Sequence, residues 1–310
     1  MKLLVNNPAF SGLRPIKLKV AKKKIKLESS SKKIELRKIQ HSNKNSNFFF
    51  LKEDKEIFFL KKIKKKNLYS KNFLCNMHTH LIKNKINVAS IKIENKYKKF
   101  FKEKNEYIYL KFQYLEGKFI NNECNNLKLL AKELYKFHNK IKKFNSKDLI
   151  KINTLLRLRK LKKERELFLK DFNKKDFLLN KVYKILKKEN NFFTFIRRNI
   201  SKSIPTHGDL VPGNILLNND HVFFIDLEDT HYSYFPAEMD IALIIERLIL
   251  CSKLSKKEQI KRIEIFFKNY LEKKLIKSFN CSLIECIQYN SYRSILMLIS
   301  NYNKNKFINK

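Results

Sequence analysis

Residues 206–230 read THGDLVPGNILLNNDHVFFIDLEDT, and they are the most informative part of this chain. Two carboxylates and an amide, on Asp209, Asn214 and Asp226, stand on short turns beside apolar segments. A carboxylate such as Asp209 can accept the proton of an attacking hydroxyl, and carboxylate and amide oxygens are the hard ligands that Mg²⁺ prefers. The stretch therefore predicts a site that holds Mg²⁺ and a hydroxyl against a nucleoside triphosphate.

A β-hairpin is predicted in the second half of this stretch. Residues 215–217 and 221–225 are apolar enough to form strands, and the polar residues 218–220 between them are typical of a turn. Asn214 then begins one strand and Asp226 ends its antiparallel neighbour, so that both side chains can meet one metal ion. The alternative is an ordinary surface hairpin with scattered polar residues.

The chain of 310 residues carries a formal net charge of +40, from 69 basic and 29 acidic residues. Such a charge usually indicates a nucleic-acid partner or an anionic membrane surface. Here Lys, Asn, Ile and Phe are abundant while Gly and Pro are scarce, which indicates a compositional bias, and the lysines are spread through every segment. We therefore expect no nucleic-acid partner, and at most a weak attraction to anionic surfaces. The oligomeric state stays open.

The hydrophobic content of 43% predicts a globular protein with one large domain or two lobes. Five scattered cysteines without a C-x-x-C pair predict reduced thiols and a cytoplasmic location. The N-terminus lacks the apolar segment of a signal peptide, and no apolar run is long enough to span a membrane. The best such run, 241–251, is interrupted by Glu246 and Arg247, which favours a helix of the core.

Periodicity divides the chain into a β-rich first third and a helical remainder. In the first third, alternation predicts strands at 16–25, 34–39, 48–51, 56–63 and 107–114, turns at 41–47 and 52–55, and a helix at 69–85. After Gly117 the spacing becomes helical. Helices are expected at 125–140, where Leu127, Leu130, Leu134 and Phe137 share one face, through 145–200, and from 237 to about 303.

The chain resembles the aminoglycoside phosphotransferase and choline kinase-like family, which has a protein-kinase-like fold. The resemblance rests on the H-G-D-x-x-x-x-N loop from His207 to Asn214, on Ile225-Asp226 at the strand end, and on Asp240-Ile241-Ala242. It implies a two-lobed α+β fold with a small β-rich nucleotide-binding lobe and a larger, mainly helical lobe that carries the catalytic loop and the acceptor site. The corresponding boundaries are a first lobe at 1–112 (with a basic extension at 1–35), a hinge at 113–117 and a second lobe at 118–310.

The same resemblance implies an ATP- and Mg-dependent phosphotransferase that moves the γ-phosphoryl group to a hydroxyl of a small molecule. Asp209 would be the catalytic base, and Asn214 and Asp226 would bind Mg²⁺. His207 would brace the loop by a hydrogen bond toward Asp240, although His207 is also compatible with a satisfied core histidine. Asp240 is equally compatible with an N-cap of the helix that follows.

For the nucleotide, the resemblance places the phosphate-binding cation at Lys61 on the third strand of the predicted meander, with Lys62 as the alternative. The backbone carbonyl of Gln113 and the backbone amide of Leu115 would pair with the adenine edge.

Two departures from the family pattern concern this nucleotide site. No Asp or Glu occurs from 57 through 93, although related kinases carry there an acid that orients the lysine. Asn76 or His78 would replace that acid in part. The first turn of the meander has no glycine, but its three asparagines tolerate a left-handed backbone better than most residues.

The acceptor side is predicted just after Asp226, where Glu228, Asp229 and Tyr232 combine acids with an aromatic ring. Such a set suits a cationic amino alcohol such as choline or ethanolamine. Tyr234 and Phe235 follow, and we favour a packing role for them. A sugar-like acceptor, or serine and threonine of proteins, stays open, and so does a catalytically weak or dead nucleotide-binding pseudokinase.

Overall fold

The structure is a computed structural model, and it describes residues 25–29, 32–38, 48–53, 55–64, 71–93, 107–171, 177–188, 191–270 and 283–308. The chain divides into two compact units, one made of residues up to 120 together with 212–225, and the other of 121–211 together with 226–310. The strand predicted at 16–25, except for Ile25, and the turn predicted at 41–47 lie outside the described residues. Within the described residues, no helix is long and apolar enough to cross a membrane.

The first unit is built on a six-stranded antiparallel sheet. Its strands are β1 (Ile25–Ser29), β2 (Lys32–Lys38), β3 (Phe48–Glu53), β4 (Glu56–Lys64), β5 (Ile91–Ile93) and β6 (Tyr107–Gln113), in the order β1-β2-β3-β4-β6-β5. The predicted meander is thus confirmed from β2 onward. The predicted third strand is β4.

Helix α1 (Lys71–Lys83) follows β4 and confirms the helix predicted at 69–85. Its apolar positions Phe73, Met77 and Leu81 recur at helical spacing, and all three side chains are buried. Burying this stripe supplies the tertiary stabilisation that a helix of this length requires.

A second sheet of the first unit contains the predicted hairpin. Strands β9 (Ile215–Asn218) and β10 (His221–Phe224) pair with His221 opposite Asn218, and Asn219 takes a left-handed φ of 52° in the turn. The short strand β7 (Lys118–Phe119) adds to the other side of β9. A Cβ at Gly117 would stand 2.9 Å from the Leu217 carbonyl oxygen, so only glycine allows this close approach.

The second unit is mainly helical. Its helices are α2 (Cys124–Ile141), α3 (Lys147–Asp171), α4 (Phe177–Lys188), α5 (Asn191–Asn199), α6 (Glu238–Ile244), α7 (Lys256–Tyr270) and α8 (Leu283–Ile308), and β8 (Ile204–Pro205) pairs with β11 (Tyr234–Phe235). The predicted apolar face of α2 is confirmed, since its four predicted core residues are fully buried. Residues 241–245 are buried as well, which confirms a core helix there.

The last described helix completes the core of this unit. α8 contributes Cys286, Tyr289, Tyr292, Leu296 and Ile299 to one hydrophobic cluster shared with α3, α4, α5 and α6. The rings of Tyr289 and Phe195 stack with centroids 4.2 Å apart. Aromatic residues of this size dominate core energetics, so α8 is integral to the unit.

Candidate active site

The loop that carries Asp209 is held by the backbone and by one buried carboxylate, all within the second unit. The amides of His207 and Gly208 donate to the two carboxylate oxygens of Asp240 at 2.8 and 3.0 Å. Gly208 has a φ of +83°, and a Cβ on it would lie 1.9 Å from Ser233 Oγ. The glycine is therefore required by both conformation and space.

Asp240 lies inside the first turn of α6, after the N-cap Ala237, and so is not the N-cap of that helix. His138 on α2 places its Nε2 3.0 Å from Asp240 Oδ2 and its Nδ1 2.7 Å from the hydroxyl of Tyr270. Burial raises the pKa of Tyr270, so the hydroxyl stays protonated and can donate to His138 Nδ1. The Nε2–H is then left to donate to Asp240.

The pKa of the Asp240 carboxyl reflects two opposed effects. Burial alone would raise it, but the hydrogen bond and electrostatic interaction of His138, the nearby His207 and the Gly208 amide together bring the pKa below its ordinary value. Asp240 is thus an ionised, fully engaged anchor for the loop. His207 is brought to it through its main chain, while its ring nitrogen Nδ1 faces the Asp209 amide at 3.4 Å.

Asp209 itself is half-buried, and its electrostatic surroundings differ from those of Asp240. Desolvation raises the pKa of the Asp209 carboxyl, and the negative charge of Asp229 raises it further. His207 and Arg293 oppose this rise. A carboxylate with a raised pKa is a stronger proton acceptor, which suits a general base.

The two residues predicted to bind a metal flank the hairpin. Asn214 ends a 3-10 turn, and its carbonyl oxygen accepts the amide of Ile225 at 3.0 Å, one residue before Asp226. Asp226 is exposed and takes a left-handed conformation with φ 59° and ψ 52°. Such a conformation is uncommon for a residue other than glycine and recurs at functional sites.

The sheet register separates the two candidate lysines. Lys61 lies opposite Leu110, and Phe59 opposite Phe112, so Lys61 shares a face with Phe112. α1 packs on that face, where the ring of His78 lies 6.1 Å from that of Phe112. Lys62 points to the opposite face.

Neither Asn76 nor His78 replaces the acid that related kinases carry on the helix corresponding to α1. Asn76 is exposed, and the Nδ1 of the buried His78 is 2.7 Å from the carbonyl oxygen of Ala89. Glu53 at the end of β3 forms a buried ion pair with Lys111, whose Nζ is 3.7 Å from the centroid of the Phe58 ring. Lys111 was not anticipated, because nothing in the periodicity distinguishes it from the many solvated lysines.

The predicted hinge begins where β6 ends. The amide of Gln113 donates to the Ser90 carbonyl at 3.0 Å, and the Tyr114 amide donates to Ile57 at 3.3 Å. The Gln113 side chain is exposed and Leu115 is half-buried. These contacts hold the backbone of residues 113–114 against β4 and the segment before β5.

The predicted acceptor residues lie on a 3-10 segment, Leu227–Tyr232, that packs beside α3. Arg157 of α3 donates to Asp229 Oδ1 at 3.1 Å, and its guanidinium carbon lies 5.2 Å from the centroid of the Tyr232 ring. Glu228 is half-buried. Phe235 is buried in the core, in agreement with its predicted packing role.

Three residues close to this site escaped prediction. His138 lies on the buried face of α2, at helical spacing from Leu134 and Ile141. A histidine on an otherwise apolar face was the sequence signal that could have identified it. Arg157 and Arg293 gave none, because their partners lie 72 or more positions away in sequence.

Residues 35–258 match the model of the phosphotransferase enzyme family. The chain belongs to this family. The match indicates phosphotransferase activity, as the resemblance implied. No curated protein matches the chain at a significant level.

Solved structures support the fold. Choline kinase LicA from Streptococcus pneumoniae matches with 16% identity and a TM-score of 0.54 over 86% of this chain and 84% of its own. Spectinomycin phosphotransferase in complex with ADP and spectinomycin matches with 14% identity and a TM-score of 0.53 over 88% and 82%. An aminoglycoside phosphotransferase from Streptomyces rimosus in complex with ADP and streptomycin matches with 11% identity and a TM-score of 0.55 over 80% and 90%. The predicted two-lobed α+β fold is confirmed.

Proposed function

We propose that this phosphotransferase uses ATP and Mg²⁺ to phosphorylate a hydroxyl of a small molecule, with Asp209 as the catalytic base. The observation that supports this most strongly is the clamp on the catalytic loop, in which the carboxylate of Asp240 accepts two consecutive amides just before Asp209. A fixed loop holds the base in one geometry, and positioning supplies much of the rate in phosphoryl transfer.

The metal would be held by Asn214 and Asp226. The exposed carboxylate of Asp226 fits such a role, because Mg²⁺ usually takes one or two carboxylates and completes its shell with water and substrate phosphates. A bound Mg²⁺ would neutralise negative charge on the phosphate oxygens.

The nucleotide would be held by Lys61 and by the backbone of Gln113 and Leu115. Lys61 shares the sheet face on which α1 packs, whereas Lys62 does not, and this favours Lys61 as the phosphate-binding cation. Two of the similar structures contain ADP, which supports an adenine nucleotide. The missing acid on α1 leaves Lys61 without the usual orienting carboxylate from that helix.

In the reaction, the acceptor hydroxyl would lie against the Asp209 carboxylate, which takes its proton as the oxygen attacks the γ-phosphorus. The bond between the γ-phosphorus and the β,γ-bridging oxygen breaks, and ADP leaves with that oxygen. Amino alcohols and sugar-like alcohols are the acceptor classes that the family suggests.

The four described cysteines form no disulfide, which suits the reducing conditions of the cytoplasm.

The test is turnover by the purified chain with ATP, Mg²⁺ and a panel of metabolite alcohols. Asp209→Asn keeps the size of the side chain but cannot accept the proton, so kcat should fall by roughly 10²- to 10⁴-fold. The control is Asp220→Asn in the exposed hairpin turn, which should keep wild-type turnover.

Wild-type turnover in Asp209→Asn would refute the assignment of the base. Thermal stabilisation by nucleotide without phosphorylation of any alcohol in the wild type would instead indicate a pseudokinase. Phosphorylation confined to serine or threonine of an added protein would indicate a protein kinase.

A further inference from the structure

The acid and the aromatic ring that would receive a cationic acceptor are already engaged by a cation of the protein. Arg157 Nη1 lies 3.1 Å from Asp229 Oδ1, and the Arg157 guanidinium faces the Tyr232 ring at 5.2 Å. A carboxylate beside an aromatic face is the arrangement that binds ammonium groups. Here the guanidinium occupies that arrangement.

Arg157 is fixed in place by the surroundings of α3. Two neighbours on the same helix also bind the segment that carries Asp229, since Thr154 Oγ1 accepts the Tyr234 amide at 2.9 Å and Asn153 Nδ2 lies 3.0 Å from His231 Nε2. The Arg157 side chain is only 27% exposed. An ion pair held within such a framework differs from an isolated surface pair, which contributes little.

Two guanidinium groups of the protein already interact with acids near Asp209. Asp209 and Asp229 influence each other electrostatically, and the half-buried Arg293 interacts with both acids and with Arg157. Two guanidinium groups thus interact with this group of acids, which also includes Asp226 and Asp240. An added ammonium group would have to displace Arg157 and leave a partly buried guanidinium without its acid, which is costly.

Arg157 retains hydrogen-bonding capacity for a neutral ligand. One of its nitrogens donates to Asp229, and the other terminal nitrogen faces Met297 Sδ at 3.7 Å, a weak acceptor. A guanidinium carries five N–H donors, so several stay available for hydroxyl oxygens.

We infer that the acceptor of this phosphotransferase is a neutral, hydroxyl-rich molecule recognised through Arg157, and that Arg157 excludes cationic amino alcohols. The inference rests on the proposed function, because it concerns the acceptor side of the same site. It replaces the amino alcohol suggested by Glu228, Asp229 and Tyr232 with a sugar-like acceptor.

The decisive comparison uses choline and its neutral carbon analogue 3,3-dimethylbutan-1-ol, together with a panel of neutral sugars and polyols. The wild type should phosphorylate at least one sugar or polyol and should show no preference for choline over its neutral analogue. Arg157→Gln removes the cation that contacts Asp229 and Tyr232, so its ratio of kcat/KM for choline to that for the analogue should rise at least about tenfold. Arg159→Gln, exposed on the same helix, should behave as the wild type.

Binding gives a readout that does not require turnover. Titration with tetramethylammonium chloride, against sodium chloride at equal ionic strength, should raise the melting temperature of Arg157→Gln and leave the wild type and Arg159→Gln unchanged. Equal stabilisation of all three proteins, or of none, would overturn the inference.

The wild-type comparison keeps the inference testable if Arg157→Gln does not fold. A wild type that prefers choline at least tenfold over the analogue, or that phosphorylates only acceptors with an anionic group, overturns the inference but leaves the proposed function intact. Failure of the wild type to phosphorylate any alcohol refutes the proposed function, and the tetramethylammonium titration then decides the inference separately.

Discussion

At the scale of single residues, the buried Asp240 connects the core of the second unit to the loop that carries Asp209. Its buried carboxylate accepts hydrogen bonds from the amides of His207 and Gly208 and faces Nε2 of His138. Removing its charge leaves these donors with a weaker acceptor in a site that water does not reach. Stability and the geometry of the loop therefore depend on one side chain.

We expect Asp240→Asn to lower the free energy of unfolding at neutral pH by about 3–5 kcal/mol, as for other broken buried pairs. The pKa of Asp240 is lowered in the folded state, so its ionised form stabilises the fold above the ordinary carboxyl pKa, and this contribution is lost as the pH falls through the lowered pKa. Urea unfolding of the wild type and of Asp240→Asn at neutral and acidic pH measures the difference between their free energies of unfolding. This difference should be smaller at acidic pH. Equal stability at neutral pH would contradict the role of Asp240.

A second residue-scale prediction concerns the pH dependence of kcat/KM, which should rise with pH as Asp209 loses its proton. The pH at which kcat/KM rises should lie above the ordinary pKa of a carboxyl group, because desolvation and the charge of Asp229 raise the pKa of Asp209. Asp229→Asn removes that charge and frees Arg157, so the rise should move to lower pH. The exposed Asp148→Asn on α3 serves as the control, and a rise that stays in place in Asp229→Asn would rule out the coupling.

At the scale of elements, α8 reaches the catalytic loop from far along the chain. Arg293 Nη2 donates to the Gly208 carbonyl oxygen at 2.6 Å, and its guanidinium lies 5.5 Å from the ring of Phe235. Asp240 therefore holds the amide side of Gly208 and Arg293 its carbonyl side. The family match ends at residue 258, before α8 begins.

We expect Arg293→Gln to lower kcat about tenfold with little change in the KM for ATP, because a loosened loop misplaces Asp209. Arg293→Lys should restore part of the loss, since a single ammonium can still donate to the Gly208 carbonyl. Steady-state kinetics with the exposed α8 variant Gln288→Ala as reference checks this. Wild-type kcat in Arg293→Gln would show that α8 does not position the loop.

Helices and strands could be predicted from the sequence where hydrophobic periodicity and turn-forming residues are visible within a short segment. The hairpin β9–β10 and the buried face of α2 followed from alternation and from helical spacing. The two-residue strands β7, β8 and β11 are too short to show any period. Of the candidate site, the loop and Asp240 were predicted, and the position of His138 on the apolar face of α2 was a signal that the prediction did not use. Arg157 and Arg293 depend on tertiary neighbours that no local pattern reveals.

At the scale of the whole molecule, the core of the second unit extends past the residues that define the family. Five buried residues of α8 belong to its main cluster, together with Phe192 and Phe195 of α5. Removing α8 would expose this apolar surface and leave a gap in a close-packed core.

A chain that ends at residue 282, directly before α8, is therefore expected to be insoluble or to lack a cooperative thermal transition. Expression of the truncated chain beside the full chain, followed by calorimetry of the soluble fraction, measures this. A truncated protein that melts cooperatively near the wild-type temperature would show that α8 is dispensable. The variant Gln288→Ala keeps α8 and should melt as the wild type does.

The hairpin β9–β10 also imposes an order on synthesis. It belongs to the first unit, where the Phe224 amide donates to the Asn87 carbonyl at 3.0 Å, yet it is encoded after the long helices α2 to α5. A ribosome releases the N-terminal part first, so this unit must wait for residue 225 before its last strands can dock. Nascent chains shorter than that would present unpaired strand edges, and chaperone demand should peak while α2 to α5 emerge.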